Sequence, residues 1–127
     1  NRLAMIIAVL EARCGIQIGP RDIYLTVAGG YRVSEPAGDL AAAAALLSSL
    51  ADSPLPEKSV FFGEIALSGS IRPVARMEAR LKEAERLGFK HAYGPEGPKT
   101  QFKDLTYKPF NRLGDLVDLL QIGVDDE

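Results

Sequence analysis

The segment Ser34-Glu35-Pro36-Ala37-Gly38-Asp39-Leu40, continued by the alanine run Ala41 to Ala45, constrains this chain more than any other stretch. Small side chains in such a row leave room for another backbone to approach closely. A helix built from them belongs in the interior, sandwiched between neighbours, rather than on the surface. Pro36 suits its first turn, where a missing N–H costs nothing, and Ser34 or Glu35 stands ready as the flanking cap. The pattern predicts a buried helix running to about Ala51, followed by a proline-containing loop from Asp52 to Pro56.

Other elements follow from periodicity. Leu3, Ile6, Ile7, Leu10 and Cys14 recur at three- and four-residue steps, the signature of one helix face ending near Gly15. Ile23, Leu25 and Val27 alternate with Tyr24 and Thr26, which predicts a half-buried strand over Asp22–Ala28, broken by Gly29-Gly30. Val60 to Leu67 reads as a second, apolar strand, with Ser68-Gly69 as a two-residue hairpin turn returning through Ser70 to Val74. A further helix carries Met77, Leu81, Ala84 and Leu87 on one face, with Glu78 and Lys82 as an exposed pair. Gly88-Phe89 is a C-terminal stop. Lys90 to Tyr93 predicts a short strand, Gly94 to Lys99 a loop, and Leu113, Leu116, Val117 and Leu120 a last helix. Helix, strand, helix, hairpin, helix, strand, helix is the order of one α/β (α+β) domain, a mixed sheet packed with helices.

With 127 residues the chain can bury a core without disulfides, and its one cysteine, Cys14, has no partner. Cys14 reads as core; only Arg13 stands near it in sequence to favour a reactive thiolate. One histidine, His91, and one cysteine provide no metal-site spacing. The apolar run Leu3 to Leu10 lacks a basic leader and is too short to span a bilayer, so no membrane partner is expected and a reducing cytoplasm is the simplest compartment. The chain opens on Asn1, almost directly in a helical pattern, and reads as a domain (1–122) cut from a longer protein, with an acidic tail at 123–127.

Among residues that could carry chemistry, Gly29-Gly30 lacks the following glycines or lysine of a phosphate loop and reads as a turn. Glu35, Asp39 and Glu64 can be imagined as an acid–base set, or as helix caps and dipole partners. Arg72, Arg76 and Arg80 are spaced so that three guanidinium groups can lie along one surface, and the planar fork of arginine suits phosphate. The opposing reading is a solvated helix face partly neutralised by Glu78 and Glu83. With a net charge of −2, any nucleic-acid contact must come from a local patch.

Several segments together carry a family resemblance: Val27-Ala28-Gly29-Gly30, Glu35 to Ala41, Ser48-Ser49, Pro54-Leu55-Pro56, Phe62 to Val74 and Leu87 to Lys90. In combination they resemble the C-terminal Lon-protease-like domain of the bacterial RadA (Sms) family, from about Asn1 to Tyr93. The resemblance implies the ribosomal protein S5 domain 2-like fold. In active Lon proteases a serine and a lysine form the catalytic dyad, and these positions fall at Ala37 and Glu78. Alanine has no oxygen to attack with, and glutamate supplies no neutral amine to take a serine proton. Ser34, Ser68, Ser70 and Lys82 lie off the motif. The resemblance therefore implies a domain without catalytic residues and without a cofactor. ATP, Mg and Zn are expected in the ATPase and zinc-finger domains of a parent chain that forms hexameric rings and acts in recombinational repair. Expected partners are DNA, single-stranded or duplex and without sequence preference, and further copies of the chain. The expected phosphate contacts are Arg2, Arg32, Arg72, Arg76 and Arg80, with Lys82 and Lys90 behind them. A pure oligomerisation scaffold and a working peptidase are the rival readings.

Overall fold

The structure, a computed structural model, describes residues 2–16, 18 and 35–120. The predicted strand at Asp22–Ala28, the Gly29-Gly30 break, Arg32 and the acidic tail lie outside the described residues. The elements are α1 (Arg2–Cys14), a 3-10 turn (Pro36–Gly38), α2 (Asp39–Ala51), β1 (Ser59–Phe61), β2 (Glu64–Ile65), β3 (Ile71–Arg72), α3 (Met77–Arg86), β4 (His91–Gly94), β5 (Thr106–Pro109) and α4 (Leu113–Leu119).

Strand order in the larger sheet is β1-β4-β5, all parallel, while β2 and β3 form a separate antiparallel ribbon. The two-residue period of the parallel strands divides the interior. Val60, Ala92 and Tyr107 share one register row and pack with Leu81 and Ala84 of α3. One residue further on, Phe61 and Tyr93 stack with ring centroids 4.8 Å apart and join the cluster built by α1, α2 and α4. Helices thus cover both faces of the parallel strands, which is how a parallel sheet is normally buried. β1, α3 and β4 form a βαβ unit.

α2 is the interior helix that the alanine run predicts. Ala42, Ala43 and Ala44 are buried with Leu40 and Leu47, whereas Ala41 and Ala45 are exposed, so the small residues pack on one side only. Pro36 opens the 3-10 turn, and Glu35 occupies the cap position without making a side-chain cap bond. At the end of α3 the expected stop is present: Phe89 N–H donates to Ala84 O and Gly88 N–H to Glu85 O, the two bonds of a Schellman motif.

The structure corrects three expectations and adds a strand that the sequence pattern does not predict. Val60–Leu67 is two strands in two sheets, because the chain turns at Gly63, whose φ is +146°. The hairpin turn has three residues, Leu67 to Gly69: Gly69 N–H donates to Ala66 O, Ala66 N–H to Ser70 O, and Gly69 takes the left-handed conformation at φ +93°. Leu87 is at the C-cap of α3 and 59% exposed, not on the core face with Leu81 and Ala84. Thr106–Pro109 is a strand, whose Pro109 is tolerated at the outer position of the described sheet.

Gly63 is closed to other residues on two counts. A Cβ there would stand 2.9 Å from Ile71 Cγ2 and 3.3 Å from Pro95 Cδ, on a backbone that L side chains rarely adopt. Gly63→Ala is expected to lower the unfolding free energy by at least about 1–3 kcal/mol from backbone strain, with overpacking adding to it. Urea denaturation of the two proteins checks this, and equal midpoints would refute it.

Candidate functional site

The carboxylate of Asp39 is the one fully buried charge among the described residues. It sits in the first turn of α2, where the helix dipole favours an anion. Arg2 Nε donates to Oδ1 at 2.7 Å and Nη2 to Oδ2 at 2.5 Å, and the Ile65 N–H donates to Oδ2 at 3.0 Å. Glu64 approaches the same guanidinium at 3.8 Å. The hydrogen bond to Asp39 raises the Arg2 pKa further above its already high value. An arginine in the first turn of α1 is on the unfavourable end of its own helix, so its placement answers to Asp39 rather than to α1.

Asp39 and Glu64 come together around Arg2, an arrangement that suits the dipole-partner reading of Asp39. A phosphate contact through Arg2 would strip a buried carboxylate of its counterion.

The remaining basic residues divide differently. Arg76 and Arg80 line one open groove of about 440 Å³, and Arg72 stands apart from it on β3. Arg76 is the N-cap of α3 in the left-handed conformation, φ 62° and ψ 41°, and Arg80 Nε donates to Ala75 O at 2.8 Å. Glu64 faces Arg72 across the hairpin, but the carboxylate leans to Arg2. Among the described residues the ion pairs are Arg2 with Asp39 and Glu64, and Arg86 with Glu83. Arg72, Arg76 and Arg80 are left without an acidic partner there. Lys82 and Lys90 are exposed.

The family model described as ChlI, subunit ChlI of Mg-chelatase, matches residues 3–97. The DNA repair protein RadA of Brucella abortus (strain 2308) is 54% identical over 119 residues, covering 92% of this chain and 26% of that protein. RadA of Rickettsia bellii (strain RML369-C) is 57% identical over 89 residues, 70% of this chain and 20% of its own. RadA of Haemophilus influenzae is 41% identical over 122 residues, 94% and 27% respectively. The chain belongs to the ChlI family and matches a segment of RadA. It spans about a fifth to a quarter of the length of these RadA relatives.

In this RadA-like segment, the two positions singled out as a lost dyad have other engagements. Ala37 is buried, and its carbonyl accepts the Gly63 N–H at 2.9 Å. Glu78 accepts the Thr100 N–H at 3.5 Å. Hydrogen bonding to the Thr100 side chain, with smaller contributions from the Thr100 and Lys99 amides and from Lys82, holds its carboxyl below the usual range. No hydrogen bond or ion pair links Ala37 to Glu78 among the described residues. Ser68 and Ser70 share a 3.0 Å hydroxyl contact on the exposed hairpin, and Ser34 lies outside the described residues. Cys14 is partly buried against the core, and burial pushes its thiol pKa up, away from thiolate reactivity. No helix among the described residues is long and apolar enough to cross a membrane.

The residue that sequence reasoning undervalued is Asp39. Its partner lies 37 residues away and Ile65 lies 26 away, so the only local signal was an acid at the start of an apolar helix.

Removing Arg2 leaves the Asp39 carboxylate buried with one hydrogen bond. Arg2→Ala is expected to lower the unfolding free energy by about 3 kcal/mol, the low end for a broken buried pair, since the Arg2 side chain is 27% exposed. Adding Asp39→Asn should recover part of that loss, and a double variant less stable than Arg2→Ala would contradict the assignment. A second expectation concerns pH. Because folding depresses the Glu78 pKa, its contribution is present above the unfolded pKa and is lost as pH falls through the folded one. The Thr100 amide shift should therefore titrate on the acid side with a midpoint below that of an ordinary glutamate, and Glu78→Gln should abolish the transition.

Proposed function

We propose that this segment is the Lon-protease-like, non-catalytic part of a RadA-type DNA repair ATPase, and that it holds DNA while helping subunits assemble. The parent protein would act in recombinational repair as a hexameric ring in the cytoplasm, moving branched DNA. ATP, Mg and Zn would be bound by segments outside this chain. The two dyad positions support the non-catalytic reading: Ala37 offers no nucleophilic atom, and Glu78 is committed to Thr100.

The observation that carries the DNA reading is the division among the arginines. Arg2 and Arg86 are spent on carboxylates, whereas Arg72, Arg76 and Arg80 have none among the described residues. Arg76 and Arg80 also share one groove edge. Guanidinium groups left free in this way can take phosphate oxygens bidentately and position a strand without reading its sequence. Arg32, outside the described residues, stays in the proposal on its place in the sequence alone. One segment would bind weakly, and six in a ring would gain by multivalency.

The test is a salt titration of DNA binding. Affinity should fall steeply with salt, and Arg76→Ala or Arg80→Ala should both weaken binding and flatten the slope by roughly 0.7–0.9 per lost phosphate contact. Arg76→Gly is the cleaner variant, because glycine relieves the left-handed backbone: it should lose affinity without losing thermal stability. A folded, assembled sample that fails to bind DNA at low salt would favour the scaffold reading. Peptide cleavage abolished by Ser34→Ala or Ser70→Ala would instead restore the peptidase.

A further inference from the structure

The groove that holds Arg76 and Arg80 has an apolar floor. Val60 of β1, Ala84 of α3, and Leu87 and Phe89 beyond its end line it. Leu87 is one of two large hydrophobic residues exposed among those described, at 59%. It follows directly on the Glu83–Arg86 pair, a bidentate contact at 3.0 and 2.5 Å that neutralises the one acid lining the groove. What remains is hydrocarbon flanked by two guanidinium groups that have no acidic partner among the described residues.

The geometry points to a docking site for an acidic peptide segment with aliphatic side chains, supplied by a partner protein. Its apolar side chains would cover Leu87 and Phe89, and its carboxylates would pair with Arg76 and Arg80. Charge complementarity selects this occupant over a second copy of the chain. Among the described residues a second copy would bring one of two exposed leucines, Leu87 or Leu67 on the hairpin tip. Leu87 comes with its own Arg76 and Arg80, and Arg13 reaches the tip through its bond to Leu67 O, so either approach would set like charges against Arg76 and Arg80. Chemistry also selects against nucleic acid as the occupant of the floor. Strand-binding platforms use aromatic faces on which bases stack, whereas here the exposed residue is a leucine and Phe89 is half-buried. Peptide carboxylates and DNA phosphates would then draw on the same two arginines, and binding of one would weaken the other.

Fluorescence anisotropy can test this with the folded chain and a panel of short labelled peptides that permute leucine, phenylalanine, aspartate and glutamate, beside matched panels in which lysine replaces the acids. An oligothymidylate strand is the third probe. Acidic–aliphatic peptides should bind and the lysine panel should not. Leu87→Ser should weaken the peptides about tenfold, the equivalent of roughly 1.4 kcal/mol, while leaving oligothymidylate affinity unchanged. Arg80→Ala should weaken both probes, and excess oligothymidylate should displace the peptide. Amide spectra establish that each variant is folded. The proposal is overturned if no acidic peptide binds better than its lysine counterpart, if Leu87→Ser leaves peptide binding intact, or if Leu87→Ser weakens the oligonucleotide instead. The DNA reading stands or falls separately, on the arginine variants.

Discussion

Asp39 ties together three parts of the chain that are distant in sequence. Its carboxylate takes both nitrogens of the Arg2 fork and the Ile65 amide, so α1, α2 and the β2–β3 ribbon meet on a single pair of oxygens. Two more bonds lie beside it: Leu40 N–H donates to Gly63 O, and Gly63 N–H to Ala37 O. The first amides of a helix have no partner within it, and here the turn at Gly63 accepts from one of them. Gly63 is also where the chain leaves the parallel sheet for the ribbon. The start of the interior helix and the junction of the two sheets are therefore one structural unit, and the side chains of α2 beyond it can be as small as alanine because their position is already fixed.

That unit includes Ala37, whose side chain is buried and whose carbonyl joins the start of α2 to Gly63. Glu78, the other candidate dyad position, is similarly turned outward to the loop at Thr100. Each position makes its own local connection. The helix entry at Ala37 fastens the start of α2 to the junction of the two sheets.

Helices and stops were legible in the sequence because their causes are local. The step of three and four in Leu3 to Cys14, the row of alanines, and Gly88-Phe89 each reports a period or a dihedral preference that neighbours do not override. The elements misread depend on contacts the chain makes elsewhere. Val60 to Leu67 is apolar but for Glu64, and only the crowding of Gly63 by Ile71 and Pro95 reveals where one strand ends. Leu87 continues the apolar spacing of α3, but the helix ends at Arg86 and the next turn faces outward. Thr106–Pro109 includes a lysine and a proline, and it is a strand because β4 has a free side for it. In the site, spacing set Arg72, Arg76 and Arg80 along one surface, whereas Arg76 and Arg80 line one groove and Arg72 stands apart on β3; nor does composition show that Arg2 already has a carboxylate.

The distinction among arginines follows from solvation. A buried carboxylate is stable only with a matched cation, and Asp39 obtains one by drawing Arg2 out of the solvent. Exposed guanidinium groups gain little from a surface acid, so Arg76 and Arg80 can remain uncommitted at no great cost to the fold. The left-handed backbone at Arg76, where a non-glycine residue costs about 1–2 kcal/mol, is harder to explain by stability alone. Glycine would be the residue of least strain there. An arginine kept in that conformation, with Arg80 bonded across to Ala75 O beside an uncovered leucine, is better explained by what the groove meets than by what holds it.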